Sequence, residues 1–511
     1  MKFIELNGES LDLNQLWEVA QGGVEVRLAE SARKKIIASR DYIDSRIQAG
    51  EVIYGVNTGF GSFSNVRISK EDIVQLQKNL IRSHACGVGK PFTPKETRAI
   101  MCLRANALAR GHSGIRPLVI DKILEFLNAD VLPVIPSQGS VGASGDLAPL
   151  SHLALAIIGE GEVWKDFKPV SVVEVLKGKK MEPLELQAKE GLSMINGCQV
   201  MTAVGLLGTY EAIRLMKLMD VSGAFSLEAL RGSRNAFDPL IAATRPHPGE
   251  AMTAHNMRLI LGKTSPIAES HQDCSKVQDA YSLRCMPAVH GAAKDALRNS
   301  LKTLEIEANS STDNPLVFSK EGKVLSCGNF HGEPVAFALD FLAIAMSAAA
   351  SISQCRIEKL INPSMSELPA FLAPNGGLNS GHMIVQVAAA SLVSENKILS
   401  HPASVDSIPT SADKEDHVSM GTIAARKFRQ VVKNAENIVA MEFLSAAQAI
   451  DLLAPLKPSG VLLDLYNKIR TEVPFAKEDR VFSQDVRKIK NMIRSGQLLE
   501  TIESKTGELQ W

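Results

Sequence analysis

The sequence predicts a mainly α protein, with a mixed, mostly helical N-terminal region followed by a bundle of long helices. Three observations carry this. Beyond about residue 200, apolar residues recur at three- and four-residue intervals over long stretches without internal proline. Loops dense in proline and glycine separate those stretches. Before residue 200 the runs are shorter, with turns and a few possible strands between them.

The elements follow in order. Residues 1–200 read as an N-terminal domain and 201–511 as the long-helix domain, divided by that change of texture. Residues 74–80 form a helical run, 203–220 one long helix and 334–358 a second. Pro363, Pro369, Pro374, Gly376 and Gly377 break the chain over 362–381. A third helix covers 382–400, and Pro402 and Pro409 mark the loop 401–418. The longest helix is expected over 422–453, where Phe428, Val431, Val432, Ala435, Ile438 and Val439 lie on one face. No internal repeat or low-complexity tract appears.

Lys+Arg and Asp+Glu balance at 56 each, which removes the basic surplus of a nucleic-acid binder. Seven cysteines form no CxxC pair, and the first residues lack an apolar leader, so a reducing, cytoplasmic setting is expected. The longest apolar run, 341–352, is too short to span a bilayer and is flanked by Asp340 and Gln354; no membrane partner is expected. There is no HExxH, no paired histidine spacing, no Gly-x-Ser-x-Gly elbow and no dinucleotide fingerprint, so no metal or external cofactor is expected.

The most informative stretch is 139–150, centred on Ala143-Ser144-Gly145. In a tight turn the Gly145 nitrogen can attack the Ala143 carbonyl, and Ser144 can lose its hydroxyl as water. That leaves an exocyclic C=CH₂, an electrophile that no standard side chain supplies. Gly145 lacks a Cβ and tolerates the turn, Ala143 is small, and Asp146 is placed to move protons. The plainer reading is a Gly/Ser surface loop entering a helix capped by Asp146.

Other segments add candidates. Tyr54 opens a loop with Gly55, Gly59 and Gly61, either a lid carrying an acid–base phenol or a tight turn with a core tyrosine. Ser83-His84 follows the helical run 74–80, and a lone histidine is more often structural. Asn196-Gly197 offers a carboxamide for a carboxylate or an amine, or simply a turn residue. Gln278, Tyr281 and Arg284, at i, i+3 and i+6, share a face if helical, and an arginine fork suits a carboxylate. Asp313-Asn314-Pro315 and Gly328-Asn329-Phe330-His331-Gly332 are polar turns. Glu415-Asp416-His417 precedes the longest helix, where an acidic residue could simply act as a cap.

Together, in register over essentially the whole chain, these segments resemble the aromatic amino acid ammonia-lyase family. The resemblance implies that Ala143, Ser144 and Gly145 become 4-methylideneimidazole-5-one. It also implies a mostly helical homotetramer whose sites combine loops from several subunits. By the same resemblance Tyr54 abstracts a β-proton, and Arg284, aided by Asn196, holds the substrate carboxylate. Tyr281, Gln278, Asn314 and Phe330 line the site. His84 and Glu415 grip an imidazole ring, which points to non-oxidative deamination of L-histidine to trans-urocanate and ammonia, the first step of histidine breakdown. Tyrosine deamination, a 2,3-aminomutase and a silent scaffold are the competing readings. Met286, Ala288, Asp413 and Lys414 depart from the family pattern and bear on efficiency and specificity.

Overall fold

The computed structural model describes residues 2–59, 61, 66–69, 71–272 and 277–511; Phe60 of the glycine loop and Cys274 lie outside them. The protein is mainly α. Its described strands form four two-stranded sheets. One is parallel, Phe3–Leu6 with Glu25–Leu28. The others are short antiparallel pairs, such as Leu316–Phe318 with Lys323–Leu325.

The chain divides into two compact units that are not contiguous in sequence. The first comprises Met1–Tyr210, Leu301–Asp340 and Pro402–Arg426. The second comprises Glu211–Ser300, Phe341–His401 and Lys427–Trp511. A single division at residue 200 therefore describes the chain incompletely. Two later segments return to the first unit, and they carry Asn314, Phe330 and Glu415.

In the first unit the Pro94–Ala109 helix is buried along nearly its whole length. Thr93 and Glu96 close a capping box at its start, with Pro94 in the first turn. Ile43, Ile53, Val56, Ile73, Ala188 and Val317 form a core cluster that anchors both ends of the Tyr54 turn.

The long helices run Gln199–Ala229, Met286–Ala308, Glu333–Ile361, Met383–Leu399 and Gly421–Leu452. By length and composition, Glu333–Ile361 is apolar enough to cross a membrane, but 61% of its most apolar window is buried within the protein. The second unit buries charges in pairs. Glu442 accepts from Arg356 Nε at 2.5 Å and from Ser226 Oγ at 2.7 Å. Burial alone would raise its pKa, yet Arg356 and the serine hydroxyls hold it below the usual carboxylate range. Asp220 likewise binds His290 Nδ1 at 2.8 Å and Lys294 Nζ at 2.5 Å.

Candidate active site

The 139–150 stretch is a folded strut rather than a surface loop. Ala143 is 5% exposed and packs against Val418 and Met420. Gly145 holds φ +70°, and a Cβ there would lie 2.2 Å from the Gly197 carbonyl oxygen. Only glycine fits, because the two backbones touch: Asp146 N donates to Gly197 O at 2.8 Å. A small residue at 143 and a Cβ-less one at 145 leave room for a tight backbone turn between them.

Asp146 occupies the cap position of the Leu147–Ile157 helix, where its carbonyl accepts from Leu150 N at 3.0 Å but its side chain bonds nothing at that helix's start. Its Oδ2 instead accepts from Val200 N and Met201 N, both at 2.9 Å, and so caps the Gln199–Ala229 helix. Its Oδ1 accepts from Ser140 Oγ at 3.1 Å and from Thr422 Oγ1. Burial raises the Asp146 pKa, and the donors from Thr422, Met201, Ser140 and Val200 oppose that rise.

Asn196 ends the Glu190–Ile195 helix. Arg104 Nη1 donates to its carbonyl at 2.8 Å, and burial pulls the Arg104 pKa down to about 10 against the pull of Asp313. The Asn196 amide nitrogen donates to Asp313 Oδ1 at 3.3 Å and to the Asn314 carbonyl at 3.4 Å. Both partners are acceptors, so the NH₂ must face them, and Asn196 Oδ1 remains buried without a partner. Asp313 is held in turn by Lys189 Nζ at 2.7 Å and Ser193 Oγ at 2.9 Å. Burial would raise its pKa, but Lys189 keeps it below the usual range. Asn314 spends its own side-chain oxygen on Cys327 N at 2.8 Å and Ser326 Oγ at 3.1 Å, which leaves its NH₂ for other partners.

His84, the last residue of the Ile73–His84 helix, donates from Nδ1 to the Leu80 carbonyl at 2.8 Å. Its Nε2 is then a free acceptor. Burial lowers its pKa, while the Leu80 bond and Glu415 act in the opposite sense. Tyr54 is half-buried, and its hydroxyl accepts from Gly61 N at 3.5 Å.

Glu415 is held by its own loop. Thr410 and Glu415 pair through their backbones, at 2.9 and 3.3 Å. Ser411, Ala412 and Asp413 between them all have φ between 53° and 61°. Thr410 Oγ1 and Ser411 Oγ each donate to Glu415 Oε2 at 2.8 Å. The other oxygen, Oε1, accepts from Ser144 Oγ at 2.8 Å.

One cavity of about 1200 Å³ in the first unit brings most of the candidates together. Tyr54, His84, Ala143 and Ser144 line it. So do Asn196, Asn314, Phe330 and Glu415. Lys414, one of the departures from the family pattern, also lines it. Gln278, Tyr281 and Arg284 do not. They belong to the second unit, and their expected shared helix face is not formed. The helix there is only Tyr281–Arg284, so Gln278 precedes it on non-helical backbone. Tyr281 is 71% exposed, and its ring stacks under the Arg284 guanidinium at 4.5 Å. Sequence reasoning missed Arg104, Lys189, Thr410 and Ser411. Nothing in local spacing marks them, because each acts by holding another residue.

The family model for aromatic amino acid lyases matches residues 11–471. This chain belongs to the aromatic amino acid lyase family. It is 50% identical over 511 residues to the histidine ammonia-lyase of Alkaliphilus oremlandii, covering 100% of both chains. Among solved structures of this lyase family, it resembles histidine ammonia-lyase from Trypanosoma cruzi with a TM-score of 0.92 and 43% identity, over 99% of this chain and 96% of that one. It also resembles tyrosine aminomutase from Streptomyces globisporus, with a TM-score of 0.94 and 37% identity, over 99% of this chain and 100% of that one.

Proposed function

We propose that this lyase removes ammonia from L-histidine to give trans-urocanate. The carrying observation is Glu415: two hydroxyls fix one carboxylate oxygen, and the other lies beside Ser144 in the cavity wall. That oxygen accepts one ring N–H of an imidazole. His84 Nε2 meets the ring's other side. Asn196 offers an oxygen, so it receives the ammonium of the substrate rather than supporting the carboxylate. The carboxylate falls to the Asn314 NH₂ and to Arg284. Tyr54 takes the β-proton, and Phe330 covers the site.

A 4-methylideneimidazole-5-one built from Ala143, Ser144 and Gly145 supplies the electrophilic carbon that turns the amine into a leaving group. The constraint at Gly145 supports its formation.

Arg284, Tyr281 and Gln278 complete the cavity of a neighbouring copy in a homotetramer. Two observations support this. The cavity is larger than an amino acid needs. Phe341, Ile344, Ile384, Val387 and Ile398 also leave apolar surface exposed on the Glu333–Ile361 and Met383–Leu399 helices, at 45–74% each. The six described cysteines are free, which suits a cytoplasmic enzyme.

The test mixes purified protein with L-histidine or L-tyrosine and follows near-ultraviolet absorbance, since each product gains a conjugated C=C. Growth with histidine only is expected, and Ser144→Ala should fold and abolish it. Growth with tyrosine, or a β-amino acid as product, would replace this reading with one closer to the aminomutase relative.

A further inference from the structure

His331, Glu333 and His417 form the one group among the described residues in which three metal-capable side chains place their donor atoms within 4.8 Å of one another. His331 Nδ1 is 3.9 Å from Glu333 Oε2, and His417 Nε2 is 4.0 Å from the same oxygen. The two imidazole rings lie parallel, 3° apart, with centroids 5.7 Å apart. Sequence spacing shows no metal pattern here, because the third side chain comes from a loop 84 residues beyond Glu333 (417 − 333).

Two details bear on what the group holds. His331 Nε2 faces the His417 carbonyl oxygen at 3.2 Å, and only an N–H satisfies a carbonyl. The proton is therefore on Nε2 and the lone pair on Nδ1, where the Glu333 N–H also approaches at 3.4 Å. A ring nitrogen held on a backbone carbonyl, with the lone pair on the other nitrogen, is the usual state of a metal-binding histidine, and an ion at Nδ1 would displace the long contact from the Glu333 N–H. Glu333 Oε2 is buried and accepts no hydrogen bond. A bare carboxylate oxygen costs stability, and a cation removes that cost.

We infer that His331, Glu333 and His417 bind one divalent transition cation of the zinc type on the cavity wall. Two imidazoles and one carboxylate favour zinc, cobalt or nickel over magnesium or calcium. Tetrahedral zinc wants such donors about 3.4 Å apart, so the pairs at 3.9 and 4.0 Å close by about half an ångström. Three protein ligands leave a fourth position for water. A bound ion would tie the Glu415 loop to the start of the Glu333–Ile361 helix.

The experiment uses untagged, chelator-treated protein carrying Cys86→Ser and Cys355→Ser, which remove the exposed thiols among the described residues, together with Cys274→Ser. Co²⁺ and Zn²⁺ are titrated in, read by the visible cobalt spectrum and by calorimetry. One ion per chain is expected. His417→Ala, at an exposed position, should weaken binding by about 100-fold or more, and the isosteric Glu333→Gln by about tenfold or more. No saturable binding, or binding of equal strength in both variants, would overturn the inference.

Discussion

Ser144 Oγ donates to Glu415 Oε1 at 2.8 Å, so the hydroxyl that would leave in the proposed ring closure rests on the carboxylate proposed to hold the substrate ring. One residue thus touches two processes, and an isosteric change separates them. Glu415→Gln should still mature, with an intact mass two waters below the sequence value. Its KM for histidine should rise about 10- to 100-fold, the worth of one charge-assisted hydrogen bond. An unmatured Glu415→Gln protein would place Glu415 in ring formation instead.

Gly145→Ala tests the backbone contact directly. The added methyl would meet Gly197 O at 2.2 Å, at a φ of +70° that side chains rarely adopt. We expect a chain that keeps its full mass and shows no lyase activity, with stability lower by about 1–3 kcal/mol. Mass spectrometry and urea denaturation read both effects.

Asp313 carries a different load. It pairs with Lys189 at 2.7 Å and accepts the Asn196 amide at 3.3 Å, all in buried surroundings. Asp313→Ala should destabilise the fold by about 3–5 kcal/mol, because Lys189 is left buried and unpaired. The double variant Lys189→Met/Asp313→Ala should recover part of that stability but not kcat/KM, since the Asn196 amide is then free to turn. Chemical denaturation and steady-state kinetics together decide it.

His382 sets part of the acid limb of stability. It is buried, with Nδ1 at 3.2 Å from Ser445 Oγ and Nε2 unpartnered. Burial, with Arg470 and Arg480, pushes its pKa down to about 3 from 6.5. Below pH 6.5 the unfolded chain takes up a proton that the folded chain refuses, so stability falls as pH drops from 6.5 towards 3. The slope from this group is at most about 1.4 kcal/mol per pH unit. Urea melts at pH 7 and pH 5 should differ more in the wild type than in His382→Asn.

Much of this was legible in the sequence where signals were local. The helices expected over 382–400 and 422–453 appear as Met383–Leu399 and Gly421–Leu452, because proline-marked loops fix their ends. The helix read over 203–220 proved to be Gln199–Ala229. It is buried on nearly every side, so its periodicity fades before the helix ends. Asp146 reads as the cap of the helix that follows it but caps one that starts over fifty residues later, at Gln199. Lys189 and Asp313 are 124 residues apart, and no spacing rule links them.

The first unit closes with Pro402–Arg426, 257 residues after the Ala143 loop (402 − 145). During synthesis the loop proposed to cyclise leaves the ribosome long before the segment it packs against. If ring closure needs that packing, a growing chain carries an uncyclised Ala143-Ser144-Gly145 until Val418, Met420 and Thr422 arrive. The electrophile would form late, once the cavity that shelters it exists, and a nonsense mutation anywhere before that segment would yield a polypeptide that never acquires it.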